Sequence, residues 1–373
     1  MNGKHVGTCF VMRSDYQEKF GGDVLQIQEY VGRLRAGGVD AHMCAFRPDL
    51  EFRYLDRVHL VNVDRVYDFL SAANKAKQID LFVSAIHHDS TNTLAMRLAA
   101  RNNKSGLRAV AERLPERYRE LLGFVYRTVR AKPSPKLRSL TTIALALYWS
   151  WNLPRNLGIV LNRASAVFVL SQREHDSLLR DTNWSGHNSL LTPNGLPEAS
   201  ATPPIWMKRA GSLFVGRIEP RKRPLELLHA AERARVPVTF IGREGSDPDY
   251  NSAFKQAVQD AVSCRWLGGL PQTAVVERMS TSRVLVNPSY VEVQSLVELE
   301  AATMGCWVVG FDVGSSGEYI ASHWKSFSSG DFDGLVEGIR SSIEDATGPG
   351  RCDYPYSWDD AVEVISRAYV GKN

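Results

Sequence analysis

Cysteine is scarce in this chain and never closely spaced. Cys9, Cys44, Cys264, Cys306 and Cys352 are an odd number, far apart in sequence, with no CxxC pair. That pattern fits neither a disulfide framework nor a zinc site and points to a reducing compartment. Long apolar runs are missing as well. The best candidate, Leu140 to Trp151, is interrupted by Thr141, Thr142 and Ser150 and is shorter than the roughly 18 residues a membrane span requires. Met1 to Thr8 leads into a β-like run without the apolar core and small-residue cleavage site of a secretory leader, so a cytoplasmic location is expected. No Asp-x-Asp pair follows a strand to hold a divalent cation, and Asp247-Pro248-Asp249 reads as a loop. Internal repeats are absent, and no nucleic-acid-binding module is recognised.

What is present is an ordinary globular composition. The chain has 373 residues, 44% hydrophobic and 23% charged, enough for two α/β domains of usual size. The net charge of +4 is unevenly spread: residues 101–140 hold eleven Lys or Arg against three Glu, so that stretch is +8 and the remainder −4.

Short β-branched and aromatic runs alternate with helical-period segments, the pattern of a parallel sheet with helical crossovers. Strands are expected near His5–Met12, Val39–Cys44, Val58–Val61, Leu81–Ile86, Ala166–Leu170 and Ser189–Leu191. A second set is expected near Ser212–Val215, Val236–Ile241, Cys264–Leu267, Arg283–Val286 and Trp307–Phe311. Two sets imply two sheets. Turn residues and prolines cluster between Thr192-Pro193-Asn194-Gly195 and Pro203-Pro204. The expected division is therefore a domain over 1–195, a linker over 196–208 and a domain over 209–355. A last helix over 358–372, with apolar spacing Ala361, Val364, Ile365 and Ala368, is expected to pack back on the first domain.

Two segments carry the chemistry. In Phe214-Val215-Gly216-Arg217-Ile218-Glu219-Pro220-Arg221-Lys222 a strand ends at a glycine and two cations follow, Arg217 and Lys222, at a spacing a strand-to-helix loop can bring to one point. At the carboxyl end of a strand in an open α/β sheet that is a phosphate-sized positive site. In the second segment Pro288-Ser289 ends a strand and helix formers begin near Gln294, so Glu292 sits just before a helix and Glu300 about two turns inside it. The first-turn N–H groups around Ser295, Leu296 and Val297 then point where a diphosphate would sit. Glu298 falls on another face and is read as solvated.

Gly216-Arg217 with Lys222, Ile241-Gly242, Trp266-Leu267-Gly268, Pro288-Ser289, the Glu292-x7-Glu300 pair, Gly305 and Gly314-Ser315-Ser316-Gly317-Glu318-Tyr319 form an ordered series. The series resembles the retaining glycosyltransferases of family 4, in the branch used for bacterial surface polysaccharides. It is specific over about residues 211–320 and looser before. The resemblance implies the GT-B fold, α/β with two Rossmann-like domains facing across a cleft. It also implies transfer of a sugar from a nucleotide-sugar donor to a glycan or lipid-linked acceptor; with no Asp-x-Asp pair, and with Arg217, Lys222 and the helix start near Ser295 able to replace a metal, no metal or other cofactor is expected.

By resemblance, Glu292 meets hydroxyls of the donor sugar, Glu300 the ribose, and main chain near Leu267-Gly268 the base; Gln294, where the chain departs from the family pattern, is expected to contact the donor. Gly21-Gly22-Asp23 is similar to the family's glycine loop, which needs freedom in φ and close backbone approach. Ile86-His87-His88-Asp89 ends a strand where family members carry a histidine facing the transferred sugar. Counting to the helix at Leu94 favours His87, and the local His-Asp pair favours His88. Val293-Gln294-Ser295 stands where glycines and an aromatic are frequent, leaving the donor open. A sugar-nucleotide epimerase or a non-catalytic nucleotide-sugar-binding protein on the same scaffold are the competing readings.

The basic stretch interleaves Arg113, Arg117, Arg119, Arg127 and Arg130 with Leu114, Tyr118, Leu121, Leu122, Phe124, Val125 and Tyr126, ahead of apolar Leu140 to Trp151. It suggests peripheral contact of 101–151 with an anionic membrane at its inner face. A solvated helical face beside a buried helix is the plainer alternative.

Overall fold

The computed structural model describes residues 7–18, 21–52, 54–94, 96, 116–130, 136–196 and 205–371. Of the basic stretch, Arg101, Lys104, Arg108, Arg113 and Lys132 lie outside the described residues. The described chain divides into two compact units. One comprises Met1–Ser90, Arg97–Gly195 and Tyr356–Asn373, the other Thr91–Met96 and Leu196–Pro355.

The first unit runs β1 (Thr8–Met12), α1 (Gly22–Ala36), β2 (Ala41–Ala45), β3 (Arg57–Val61), α2 (Val66–Lys75) and β4 (Asp80–Ser84). It continues through α3 (Glu116–Arg130), α4 (Lys136–Trp149), α5 (Leu153–Arg163), β5 (Ala166–Val169), α6 (Gln172–Asp181) and β6 (Ser189–Leu191). Its sheet is parallel, in the order β2-β1-β3-β4-β5-β6. Helices cover both faces, so the strands read as apolar runs, not as an alternation with polar residues. Cys9, Val11, Val58, Leu60, Leu81, Val83, Val167 and Val169 enter one core layer. Cys9 and Cys44, on neighbouring strands, bring their free thiols to 2.6 Å.

The opposite face carries His59, fully buried in β3. It stacks on Phe10 at 4.4 Å and hydrogen-bonds Ser84 Oγ at 2.8 Å. Burial pushes its pKa down to about 3. The other ring nitrogen meets the Tyr369 hydroxyl at 2.7 Å. Tyr369 lies in the chain's last helix (Trp358–Val370), which starts on a Ser357–Asp360 capping box. That helix also edges Trp358 against Tyr30 of α1 and ion-pairs Asp359 with Arg33 at 2.8 Å. Its buried stripe is Ala361, Val362, Ile365 and Tyr369, so Val362 and Tyr369 take the places expected of Val364 and Ala368. Residue 195 must be glycine, because a Cβ there would lie 2.0 Å from the Trp358 nitrogen.

The second unit runs β7 (Ser212–Val215), α7 (Pro224–Ala234), β8 (Val238–Ile241), α8 (Pro248–Gln259), β9 (Arg265–Trp266), α9 (Gln272–Thr281) and β10 (Val284–Asn287). Then come α10 (Leu296–Thr303), β11 (Trp307–Phe311), α11 (Ser316–Tyr319), β12 (Trp324–Phe327) and α12 (Phe332–Glu344), which leaves α13 for the last helix of the chain. The sheet order is β12-β11-β10-β7-β8-β9, all parallel. Phe214, Phe240, Val286 and Val309 face one core layer; Leu213, Ile241, Leu285 and Val308 face the other.

Two expectations need correcting. Asp247-Pro248-Asp249 is not a loop but a helix start: the Asp247 carboxylate caps the Tyr250 N–H and Pro248 opens α8. The edge strand β12, Trp-Lys-Ser-Phe, escaped the sequence pattern because no residue of it is fully buried. Of the segment 196–208, residues 197–204 lie outside the described residues. Trp206–Lys208 forms a 3₁₀ turn whose Trp206 indole donates to the Asp345 carbonyl at 2.7 Å and lies under Arg283.

Candidate active site

In the second unit the carboxyl ends of β7 and β10 meet. Gly216 continues β7 by donating to Ile241 at 2.9 Å. Gly242 crosses it so closely that a Cβ there would sit 1.8 Å from the Gly216 oxygen, and its φ of +155° also demands glycine. Residues Pro220–Lys222 then form one 3₁₀ turn. The turn is held from below by Arg223, which takes the left-handed conformation at φ 55°. Its buried guanidinium lies between Tyr290, Phe332 and Phe311, at 4.0, 4.5 and 5.0 Å from their ring centres. The Tyr290 N–H donates to the Arg221 carbonyl at 2.9 Å, and Arg221 Nη1 to the Val291 carbonyl at 3.0 Å, so the two loops form one body.

The charged groups form a connected series. Arg217 lies 3.3 Å from Glu219, Glu219 lies 3.4 Å from Arg221, and Arg221 reaches Glu292 at 3.9 Å. Lys222 Nζ donates directly to Glu292 Oε1. Burial would raise the Glu292 pKa, but Lys222 and Arg221 outweigh it and hold the carboxyl at about 2. Glu292 is therefore an ionised acceptor at neutral pH.

Behind it, Asn287 Nδ2 donates to Glu298 and, at 3.4 Å, to Glu292. The Ser316 hydroxyl donates to the other Glu298 oxygen. Glu298 is thus 3% exposed and not solvated as expected. Burial and the neighbouring Glu292 charge push it up to about 7, against the pull of Ser316 and Asn287. The Ser315 N–H and hydroxyl both donate to the Val293 carbonyl, at 2.8 and 2.7 Å. Gly314 lies so close that a Cβ would approach the Glu292 Cβ at 2.8 Å. The Gly314-Ser315-Ser316 fragment thereby shapes the strip from Glu292 to Ser295.

Ser295 is the N-cap of α10 without a side-chain cap, and Gln294 and Ser295 are both buried. The N–H groups of Leu296 and Val297 find no acceptor among the described residues, which leaves the positive end of the helix unsatisfied. Glu300, half-buried further along α10, has Gln272 Nε2 at 3.4 Å from both oxygens. Burial pushes its pKa up to about 7, against that hydrogen bond. Among the described contacts Glu292 is joined to Lys222, while Glu300 is joined to α9. Gly268 sits at φ +71° with open space around it and accepts from the Gly242 N–H at 2.8 Å.

In the first unit a second polar cluster lies past the ends of β3 and β4. Ile86 turns the chain at φ 46°, a costly conformation for a β-branched residue. His87 is then clamped between Asp64 at 2.6 Å and Asp181 at 3.0 Å, while its backbone N–H donates to Glu174 at 2.7 Å. Burial would lower the His87 pKa, but Asp64 and Asp181 outweigh it and push it up to about 10. His88 donates its backbone N–H and Nδ1 to Asp64 Oδ2, at 2.9 and 2.7 Å. Its Nε2 has no partner among the described residues. With Nδ1 bound to a carboxylate, Nε2 is the ring nitrogen left to meet a ligand.

Gly21 caps α1 in an extended conformation, φ −146° and ψ −179°, and Gly22 is the first helical residue. Neither uses left-handed freedom, contrary to expectation. The constraint is closeness: a Cβ on Gly21 would meet Asp23 Oδ1 at 2.9 Å. Asp23 in turn pairs with buried Arg13, which also holds Asp15, both at 2.8 Å.

Sequence reasoning missed Asp64, Asp181, Arg13, Arg223 and Asn287. Asp64, Arg13 and Asn287 are single polar residues at strand ends, Asp181 ends α6 and Arg223 precedes α7, and only the fold reveals what each touches.

Residues 198–354 match the family model described as glycosyl transferases group 1. The C-terminal domain is a group 1 glycosyltransferase domain. The O-antigen chain mannosyltransferase B of Escherichia coli is 27% identical over 241 residues, 58% of this chain and 63% of that relative's own length. Among solved structures, sucrose-phosphate synthase from Thermosynechococcus elongatus aligns over 98% of both chains with a TM-score of 0.67 at 14% identity. Anabaena HepE, solved in complex with UDP and glucose, aligns over 98% of this chain and 100% of its own with a TM-score of 0.63 at 14% identity. Likeness at this identity shows the fold alone: two parallel-sheet α/β domains, the GT-B fold. The group 1 domain holds Arg217, Lys222, Glu292 and the α10 N-terminus. His87, His88, Gly21 and Gly22 belong to the other unit.

Proposed function

We propose that this chain is a retaining, metal-independent hexosyltransferase. It moves a sugar from a nucleoside-diphosphate donor to a glycan or lipid-linked acceptor in the assembly of a bacterial surface polysaccharide, on the cytoplasmic side of the membrane. The observation that carries the reading is the Lys222–Glu292 ion pair at the head of α10, inside a group 1 glycosyltransferase domain. The O-antigen relative supports the acceptor class, and the UDP held by a protein of the same fold supports the donor class.

Breaking a sugar–phosphate bond develops negative charge on the leaving diphosphate. Lys222 has three N–H donors and serves Glu292 with one while offering others to a phosphate. Arg217, 39% exposed, and the first-turn N–H groups of α10 add to that field. Aimed donors of this kind are each worth about 3 to 4 kcal/mol in a transition state, so the cationic set takes the place of a metal. Glu292, ionised and acceptor-only, suits donor-sugar hydroxyls; Glu300 suits the ribose. His88, with its Nε2 open, suits the transferred sugar better than His87, whose ring nitrogens are both engaged. Retention follows if the acceptor attacks from the face the phosphate leaves, with a phosphate oxygen as base.

The test is nucleoside-diphosphate release from a panel of nucleotide sugars with lipid-linked and free glycan acceptors, with and without EDTA. Glu292→Ala and Lys222→Ala should each lose transfer while remaining folded, and EDTA should leave the rate unchanged. Normal turnover by either variant would overturn the site, and a strict metal requirement would overturn the charge argument. Donor binding without any release would favour a non-catalytic role.

A further inference from the structure

Beneath Glu292 the C-terminal domain buries a carboxylate that the proposed chemistry leaves unused. Glu298 is the third residue of α10, and its side chain enters a polar chain drawn from three elements. Asn287, which ends β10, donates Nδ2 to one Glu298 oxygen, and Ser316, which opens α11, donates its hydroxyl to the other. The facing of the Asn287 amide is set by Ser289, whose N–H and hydroxyl both donate to Asn287 Oδ1, at 3.3 and 2.5 Å. Nδ2 is thereby turned toward two carboxylates: its hydrogens serve Glu298 and, at 3.4 Å, Glu292 Oε1.

Two carboxylates that share one buried amide resist carrying charge together. Lys222 and Arg221 keep Glu292 ionised. The charged groups that act on Glu298 are Glu292, which with burial pushes it up to about 7, and Lys222, which with Ser316 and Asn287 pulls it down. We propose that Glu298 is a positioning residue for the donor: acting through Asn287, it fixes the Glu292 carboxylate for the sugar hydroxyls, and it supports donor binding in its neutral form. This role rests on the transferase reading and names what tunes its donor. A neutral Glu298 anchors the amide and gives its proton to the Ser316 hydroxyl, which can accept as well as donate. An ionised Glu298 sets a second negative charge behind Glu292 and offsets the positive end of α10, both against an anionic diphosphate.

The experiment follows nucleoside-diphosphate release from UDP-glucose, GDP-mannose and ADP-glucose, with lipid-linked and free glycan acceptors, across about pH 6 to 8.5. The wild-type KM for the donor should rise about fivefold over this range, with kcat changing less. Glu298→Gln keeps an oxygen for Asn287 but does not ionise, so it should hold the low-pH KM throughout. Glu298→Leu cuts the bridge and should raise KM at least about fivefold at every pH, with a cooperative melt showing that it is folded. Added to Asn287→Ala, the leucine change should have no further effect on KM. Glu300, pushed up to about 7 by burial, titrates in the same range, so the comparison of glutamate with glutamine at 298 is repeated in Glu300→Gln and should persist. A pH step in KM that survives Glu298→Gln, or a wild-type KM in folded Glu298→Leu, would overturn the positioning role and leave the transferase reading in place. If the wild type releases nucleoside diphosphate from none of the three donors, both fall.

Discussion

Replacing Glu298 by glutamine probes the polar network beneath the site. In the folded chain burial and the Glu292 charge push the Glu298 carboxyl from 4.5 up to about 7. A carboxyl whose folded pKa exceeds its unfolded value is best accommodated when protonated, and it costs stability as the pH rises toward the folded pKa. From about pH 5 to about pH 8 that cost grows by on the order of 2 kcal/mol. Glutamine does not titrate, yet it still offers an oxygen to Asn287 and an amide to the Ser316 hydroxyl. Glu298→Gln should therefore lie within about 1 kcal/mol of the wild type near pH 5 and exceed it by about 2 kcal/mol near pH 8. Urea unfolding at the two pH values, read as the transition of the C-terminal domain at unchanged m, measures the difference. Placed on a Glu292→Gln background, the same change should gain less, because the charge that raises Glu298 is gone. An offset that does not change with pH would refute the reasoning.

In the N-terminal unit, the Asp64 and Asp181 carboxylates stabilise the protonated His87 ring, with a folded pKa of about 10 against 6.5. Its contribution is complete below about pH 6.5 and is lost as pH rises through about 10, and thermal melts across that window should show the decline. His87→Ala removes the charge shared by Asp64 and Asp181, leaving Asp64 only His88 and Asp181 only Ser90 and Arg180 among the described residues, and should cost about 3 kcal/mol near neutral pH; a near-neutral result would contradict the clamp. Gly242→Ala places a methyl 1.8 Å from the Gly216 oxygen and should destabilise the C-terminal domain by more than about 2 kcal/mol, which denaturant midpoints would reveal.

The sheet elements were legible because both faces of each sheet are covered, so apolar runs such as Thr8–Met12 and Val284–Asn287 stand out against helical periodicity. β12 did not stand out, since an edge strand holding Lys325 and Ser326 carries no apolar run. At the site, Arg217, Lys222 and Glu292 were named from spacing, and their ion-pair series is now visible. Glu298 was misplaced for a physical reason. α10 is short and apolar on most sides, Leu-Val-Glu-Leu-Glu-Ala-Ala-Thr, so no stripe in the sequence says which glutamate points inward. Asp64, which binds both histidines, follows a different strand from theirs, and only parallel pairing of β3 with β4 brings them together. The choice between His87 and His88 was beyond sequence because it turns on which ring nitrogens already have partners.

The most direct test of the account is calorimetric titration of the whole chain with UDP, GDP and ADP in EDTA, repeated with Lys222→Ala and Arg217→Ala. One nucleoside diphosphate should bind the wild type without metal and at least about tenfold more weakly to each variant. If none of the three binds, or if the variants bind as tightly as the wild type, the cationic strand end and the α10 N-terminus are not a diphosphate site.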